Sequence, residues 1–368
     1  MAEIKQIDTP TLVSWLEIKK EFTILDIRPQ SERTEWQIPE SIYINAYDEL
    51  KSGNENALDV LDLDKSKTVI TVCTKGRLSL FAAEILDKKG YEAYSLEGGM
   101  SAWNYAYDTQ TVSFDNFKII QVRRLAKGCL SYIIGSGNEA MVIDSSLNPS
   151  IYKSITDTEN WKIKFVTDTH IHADYISRTK ELSEYANATH LFNASATVSY
   201  PFTPIEDNEI VHIGNVAVKT LFTQGHTIES TSFIIDDKAI LTGDTLFING
   251  IGRPDLKADE NEVRKKSIAL FQSLQKIMSL DIELLVMPAH FSSSIQVGQK
   301  FITEKLQHLK EKIKALSYTE RDFINNILEN LPPTPPNYLT ISEINKVGQY
   351  ENYVLADLEA GANRCAIS

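Results

Sequence analysis

The stretch Thr169-His170-Ile171-His172-Ala173-Asp174-Tyr175 constrains this chain more than any other. It follows the apolar run 163–166, so it reads as the loop leaving a buried strand. On extended backbone, two histidines two residues apart and a carboxylate two further on can turn toward one point. Imidazole and carboxylate together suit zinc, iron or manganese. A lone H-x-H also occurs on ordinary surfaces. Later pieces give this one weight: Gly225-His226-Thr227, Thr242-Gly243-Asp244-Thr245 and Pro288-Ala289-His290, each after a strand-like run. His190, His212 and His308 have no partner pattern and read as structural or surface residues.

A length of 368 residues suits two domains, at about 100–200 residues each. The formal charge of −13 argues against a nucleic-acid or anionic-membrane surface. Residues 1–6 are polar from the start, unlike a secretory signal. No apolar run approaches the ~18 residues of a membrane span. Three scattered cysteines make no disulfide framework. A reducing cytoplasm is therefore the expected compartment, where a single thiol can remain reactive.

Residues 23–27 and 68–72 read as short strands. The second runs into Cys73-Thr74-Lys75-Gly76-Arg77-Leu78, and a helical pattern then starts at Ser79 and stops at Lys88-Lys89-Gly90. Strand, short loop and helix make an anion cradle, with loop amides and a helix N-terminus aimed at the sulfur. Such a field favours a thiolate or persulfide on Cys73. Lys75 and Arg77 add positive charge at the rim. Residues 104–115 lack periodicity and read as a join. Beyond it, strand-like runs at 117–122, 130–134, 140–143, 216–222, 233–235 and 282–287 alternate with helical stretches near 176–186, 262–279 and 297–315. Two sheets between helices are expected. Further helical pattern covers 319–328. The prolines at 332, 333, 335 and 336 favour an extended crossing.

Leu25-Asp26-Ile27-Arg28, the Cys73–Ser79 loop and Leu96-Glu97-Gly98-Gly99-Met100-Ser101-Ala102-Trp103 resemble a single-domain rhodanese, a sulfurtransferase. Related folds that handle phosphate or arsenate have a loop one residue longer, closed by arginine. Here Ser79 stands six after Cys73, so the resemblance implies sulfur as the cargo. Asp144, His170-x-His172-x-Asp174, His226, Asp244 and His290 follow the order and spacing of the metallo-β-lactamase superfamily. The organisation expected is therefore an α/β two-domain chain. Residues 1–107 form a rhodanese-like domain with a parallel sheet, 108–116 a linker, and 117–368 an αββα sandwich with a Pro-rich extension.

Tyr175 departs from the two-metal hydrolases of that superfamily, such as glyoxalase II, which carry histidine there for a second ion. A phenol with a pKa near 10 is a poor ligand at neutral pH, so a one-metal centre is expected. The run from Thr242 to Leu256, with Gly252-Arg253-Pro254-Asp255, resembles the ETHE1-like persulfide dioxygenases, as does the closing segment 358–366. Members of that branch occur fused to rhodanese domains. The resemblance implies one Fe(II) per chain held by His170, His226 and Asp244, with His172, Asp174, Tyr175 and His290 around them. Spacing alone does not distinguish His170 from His172 as the ligand. Arg253 and Asp255 are candidate substrate contacts or a structural ion pair. Cys129 reads as a small packing residue; Cys365 reads as the same or as a residue that approaches the site. Arg178 and Ile228 replace residue types common near this cavity, so substrate size can differ.

The function this implies is oxidation of a small persulfide, such as glutathione persulfide, by O2 to sulfite, coupled to sulfur transfer through Cys73. Thiosulfate, sulfite and glutathione or a similar thiol are the expected small-molecule partners. A homodimer or homotetramer is a candidate assembly. The alternatives are a glyoxalase II-like zinc thioester hydrolase with an accessory rhodanese domain, and a non-catalytic persulfide sensor.

Overall fold

The computed structural model describes residues 5–255, 260–291, 295–331, 334–335, 337–361 and 365–367. Its N-terminal sheet has five strands, all parallel, in the order Gln6–Ile7, Ala93–Leu96, Thr68–Val72, Phe22–Asp26, Ile42–Tyr43. Thr68–Val72 is central and buried throughout, as expected of a strand covered on both faces. Alternate residues serve opposite faces. Ile24, Ile70 and Val72 pack on one side with Leu12, Met100 and Trp103. Leu25, Val69 and Cys73 pack on the other, beneath Ala82, Ala83 and Leu86 of the helix Arg77–Lys88.

Two further sheets lie face to face. One has seven strands, in the order Thr203–Ile205, Thr189–Asn193, Lys162–Thr167, Glu139–Ile143, Leu130–Ser136, Lys118–Arg124, Tyr107–Ser113. The other has six, in the order Ile210–Ile213, Val216–Phe222, Thr231–Ile235, Ala239–Gly243, Leu285–Pro288, Glu304–Lys305. Ile119, Ile134, Met141 and Ile143 point inward to meet Val218, Phe233, Ile235 and Leu241. Their neighbours Ile120, Ile133 and Val142 point outward under the helices Pro149–Thr158 and Thr179–Ala186. Ile234, Ile240 and Val286 do the same under Glu260–Met278 and Glu320–Glu329. This period-2 partition produces the expected helix–sheet–sheet–helix sandwich.

Two expectations need correction. Residues 108–116 are no free join, because the strand Tyr107–Ser113 pairs along its whole length with Lys118–Arg124. It is a half-exposed edge built on Thr109, Thr111 and Val112, so it carries no apolar run to announce it. The helix expected over 297–315 shrinks to Leu306–Lys312 plus a single 3-10 turn, Lys314–Ser317. Upstream, the Arg123 guanidinium takes the carbonyls of Gln299 and Lys300, and the Gln121 amide brackets Ile302. Those tertiary bonds hold the backbone extended.

The two domains share one apolar cluster running from Ile7, Leu12 and Trp103 into Phe117 and Ile119. Arg124, fully buried, donates to the Asn104 carbonyl and pairs with Glu359. The C-terminal extension supplies the helices Tyr338–Val347 and Leu355–Leu358 and the strand Ala366–Ile367, which pairs with Ile251–Gly252. Pro332, Pro333, Pro336 and Leu256, with 362–364 of the closing segment, lie outside the described residues.

Candidate functional site

The Cys73 cradle forms where the central parallel strand ends. Gly76, at φ +83°, turns the chain into the helix Arg77–Lys88. The loop backs onto Gly98-Gly99: Met100 N donates to Cys73 O (2.9 Å) and Ser101 N to Thr74 O (3.0 Å). A Cβ on Gly99 would sit 2.2 Å from Cys73 O, so the approach requires glycine. The buried Ser79 hydroxyl donates to Cys73 Sγ (3.3 Å) and itself receives the Ser95 hydroxyl (2.9 Å). Around the mouth, Thr74 bonds Glu32, Lys75 pairs with Asp357 of the extension, Arg77 is exposed and Leu78 packs on the domain core.

The second centre gathers at the strand ends of the sandwich. Asp144, after Glu139–Ile143 and at φ +60°, accepts Thr169 N (2.7 Å) and the Thr169 hydroxyl, which fixes the start of the histidine loop. His170 Nε2 and His226 Nε2 face Asp244 Oδ2 at 3.7 and 3.6 Å, and all three donors are buried. His226 Nδ1 donates to Arg253 O (2.7 Å), which leaves Nε2 with its lone pair directed inward. Gly252 is required there, since a Cβ would meet Asp244 O at 1.9 Å.

His172 points elsewhere. Its Nε2 lies 3.0 Å from Asp144 Oδ1 and 2.8 Å from the Tyr175 hydroxyl, which in turn donates to Asp144 O (3.4 Å). His290 bridges Asp244 (2.6 Å) and Asp174 (2.9 Å) through its two nitrogens. The geometry thus separates His170 from His172, which spacing could not do.

Charge follows from these contacts. Burial and the neighbouring His172, His226 and His290 hold His170 well below the usual imidazole range. Burial lowers His226 as well, against the pull of Asp244. Burial alone would lower His290 too, but Asp174 and Asp244 raise it far above that range. Burial would push the carboxyls of Asp174 and Asp244 up; His290 keeps both low.

Two neutral imidazoles and one ionised carboxylate therefore converge, and His170 Nε2 and Asp244 Oδ2 are buried without a hydrogen-bond partner among the described residues. Orphaned buried acceptors of this kind fit a divalent cation. His170, His226 and Asp244 are the residues that could hold it. Asp174 and His290, bound to each other, form a separate pair beside them.

Other expected residues sit differently. Arg253 is fully buried and bidentate to Asp255 (2.8 and 2.7 Å), so the pair sets the loop that presents Arg253 O to His226. Cys129 and Cys365 are buried as packing residues are, and both also adjoin the centre: each thiol lies within 4.8 Å of a His290 nitrogen. Burial raises both thiols above their ordinary pKa. Arg178 pairs with Glu181 and stacks on Tyr350, while Ile228 is exposed beside His226.

Sequence reasoning missed four supports. Asp168, raised to about 6 by burial, holds Ser177 and Thr179 and faces His172. Glu229 accepts Ile171 N (2.9 Å). From the extension, Asn345 donates to His172 O and Tyr175 O (2.8 Å each), and Glu359 accepts Ile176 N (2.9 Å). Asp168 and Glu229 adjoin motif residues and could have been suspected. Nothing in the sequence near Asn345 or Glu359 signals contact with a loop some 170 positions away.

The Rhodanese-like domain family matches residues 10–106. Hydroxyacylglutathione hydrolase of Prochlorococcus marinus (strain MIT 9301) is 30% identical over 182 residues, 48% of this chain and 70% of that protein. The chain belongs to the metallo-β-lactamase-fold family that includes the hydroxyacylglutathione hydrolases. The enzyme of that name from Francisella philomiragia is 27% identical over 53% of this chain and 77% of its own length. Among solved structures, a metallo-β-lactamase from Staphylococcus aureus superposes with TM-score 0.59 at 28% identity, covering 65% of this chain and 76% of its own. ETHE1 from Myxococcus xanthus does so with TM-score 0.54 at 22% identity, covering 66% and 99%. The rhodanese domain and the metallo-β-lactamase sandwich are thus established, and both are enzyme folds. Among the described residues no helix is long and apolar enough to cross a membrane.

Proposed function

We propose that the sandwich is an Fe(II)-dependent persulfide dioxygenase, supplied with or drained of sulfane sulfur by the rhodanese domain. The observation that carries this is the donor set: two histidines and one carboxylate converge, while His172 and His290 are engaged elsewhere. Such a face leaves positions open for substrate sulfur and O2. Bound there, iron supplies the redox chemistry; the chain supplies orientation and charge. Overall, RSSH + O2 + H2O gives RSH, sulfite and two protons. His170 and His226 present unprotonated Nε2 atoms, and the Arg253 carbonyl fixes the tautomer of the second. His290, protonated between Asp174 and Asp244, keeps the Asp244 carboxylate ionised and its Oδ2 turned inward.

At the other site the Cys73 thiolate attacks the outer sulfur of thiosulfate, releasing sulfite and keeping a persulfide that a small thiol can remove. The reverse direction, from persulfide and sulfite to thiosulfate, uses the same groups. One chain bearing both sites raises the local concentration of their shared intermediate.

The relatives' name favours a second reading, thioester hydrolysis with a metal-bound hydroxide. That chemistry draws on a second ion, for which Tyr175 offers only a phenol that burial and Asp144 hold well above its ordinary pKa. Oxygen consumption by iron-loaded protein with glutathione persulfide tests the proposal. Turnover of a glutathione thioester without oxygen uptake would replace it with the second reading.

A further inference from the structure

Between Thr167 and Thr179 the histidine loop runs as bends and irregular backbone, so its N–H and C=O groups need partners on other elements. The front half is held from within the sandwich, where Asp144 accepts Thr169 N (2.7 Å) and Glu229 accepts Ile171 N (2.9 Å). The back half is held from the C-terminal extension. Asn345 Nδ2 donates to His172 O and Tyr175 O (2.8 Å each), and Asn345 Oδ1 accepts Ser177 N (2.9 Å). Ile341, Ile344 and Asn345 share the buried face of the helix Tyr338–Val347, and the two isoleucines pack with Ile176 of the loop. Asparagine is a weak helix former, yet here it sits buried in the last turn with both amide protons and the oxygen engaged. Only an amide in this orientation serves: turned over, its oxygen would face two carbonyl oxygens.

We propose that Asn345 is a positioning residue for the metal ligands, acting through the loop rather than on the ion. It fixes the segment that carries His172, Asp174 and Tyr175. Asp174 in turn holds His290 (2.9 Å), and His290 holds Asp244 (2.6 Å). His170 opens the same loop, so two of the three ligands depend on where Asn345 sets the backbone. The inference rests on the His170–His226–Asp244 centre of the proposed function, and not on persulfide as its substrate.

Titration of full-length, metal-free protein with Co(II), followed by its visible bands, tests this without turnover. Wild type should take one Co(II), and Asn345→Ala should weaken its Kd by about 10–100-fold, as loss of an outer partner of a metal site does. Asn345→Asp keeps the size and the acceptor for Ser177 N but sets an oxygen against two carbonyls, so it should weaken Kd at least as much. Thiosulfate:cyanide transfer at Cys73 should persist in both variants. A role confined to stability would lower the urea midpoint and leave Kd of the folded variants unchanged, and that result would overturn the proposal. Hydrogen exchange of wild type needs no variant: by linkage, Co(II) should slow exchange at the Ser177 amide. Exchange there unmoved by bound Co(II) would overturn the proposal as well. Wild type that takes up no Co(II) would remove the metal centre and the proposal with it, whereas uptake without oxygen consumption by the iron form would remove the dioxygenase reading alone.

Discussion

Replacing Tyr175 by phenylalanine isolates what the phenol does. Its hydroxyl accepts from His172 Nε2 at 2.8 Å and donates to Asp144 O at 3.4 Å, in a site where the side chain is 1% exposed. Neither partner is orphaned by the change. His172 Nε2 keeps Asp144 Oδ1 at 3.0 Å, and Asp144 O keeps the Ser131 hydroxyl at 2.6 Å. The loss is then that of one good hydrogen bond and one weak one, about 1–2 kcal/mol, without the larger penalty of a stranded buried group. Urea unfolding should show the unfolding free energy falling by that amount, as a lower midpoint at unchanged slope. Metal analysis should still find one ion per chain, because His170, His226 and Asp244 are untouched. Loss of the ion in Tyr175→Phe would make the phenol a ligand. An unchanged midpoint would refute the network around His172.

Three further outcomes are expected. Cys73→Ser should abolish thiosulfate:cyanide sulfur transfer and leave persulfide-dependent oxygen uptake, while Asp244→Ala should lose metal and uptake but keep transfer; either change removing both activities in folded protein would contradict two separate sites. Gly99→Ala places a Cβ 2.2 Å from Cys73 O at φ +57°, so transfer should fall at least tenfold and the fold lose at least about 2 kcal/mol, while oxygen uptake is spared. His190 is buried with neither ring nitrogen hydrogen-bonded among the described residues, and burial lowers its pKa to about 4. The unfolded chain, near 6.5, then binds a proton that the folded chain refuses, so stability is full above about pH 6.5 and falls as pH drops toward 4. The loss amounts to about 3 kcal/mol. His190→Phe should flatten urea midpoints across that window.

The sequence revealed most where chemistry and periodicity coincide. Cys73, His170, His226 and Asp244 each follow a strand whose apolar run marks it, so the elements and the donors were visible together. The strands themselves emerged from alternation, with Ile133 and Ile134 or Met141 and Val142 serving opposite faces. What stayed hidden depends on tertiary partners. The edge strand Tyr107–Ser113 is half polar and is a strand because Lys118–Arg124 pairs with it. The segment before Leu306 has a helical pattern, but Arg123 and Gln121 claim its backbone. Asn345, Glu359, Cys129 and Cys365 reach the centre from distant parts of the chain. For Arg253 the sequence leaves a substrate contact and an ion pair with Asp255 both open, and only the structure shows its fork closed on Asp255.

Iron quantitation alongside an oxygen-electrode trace with glutathione persulfide tests the central claim most directly. One iron per chain and oxygen consumption matched by sulfite are expected. Paired zinc with no oxygen consumed, whatever sulfane donor is given, would contradict the account.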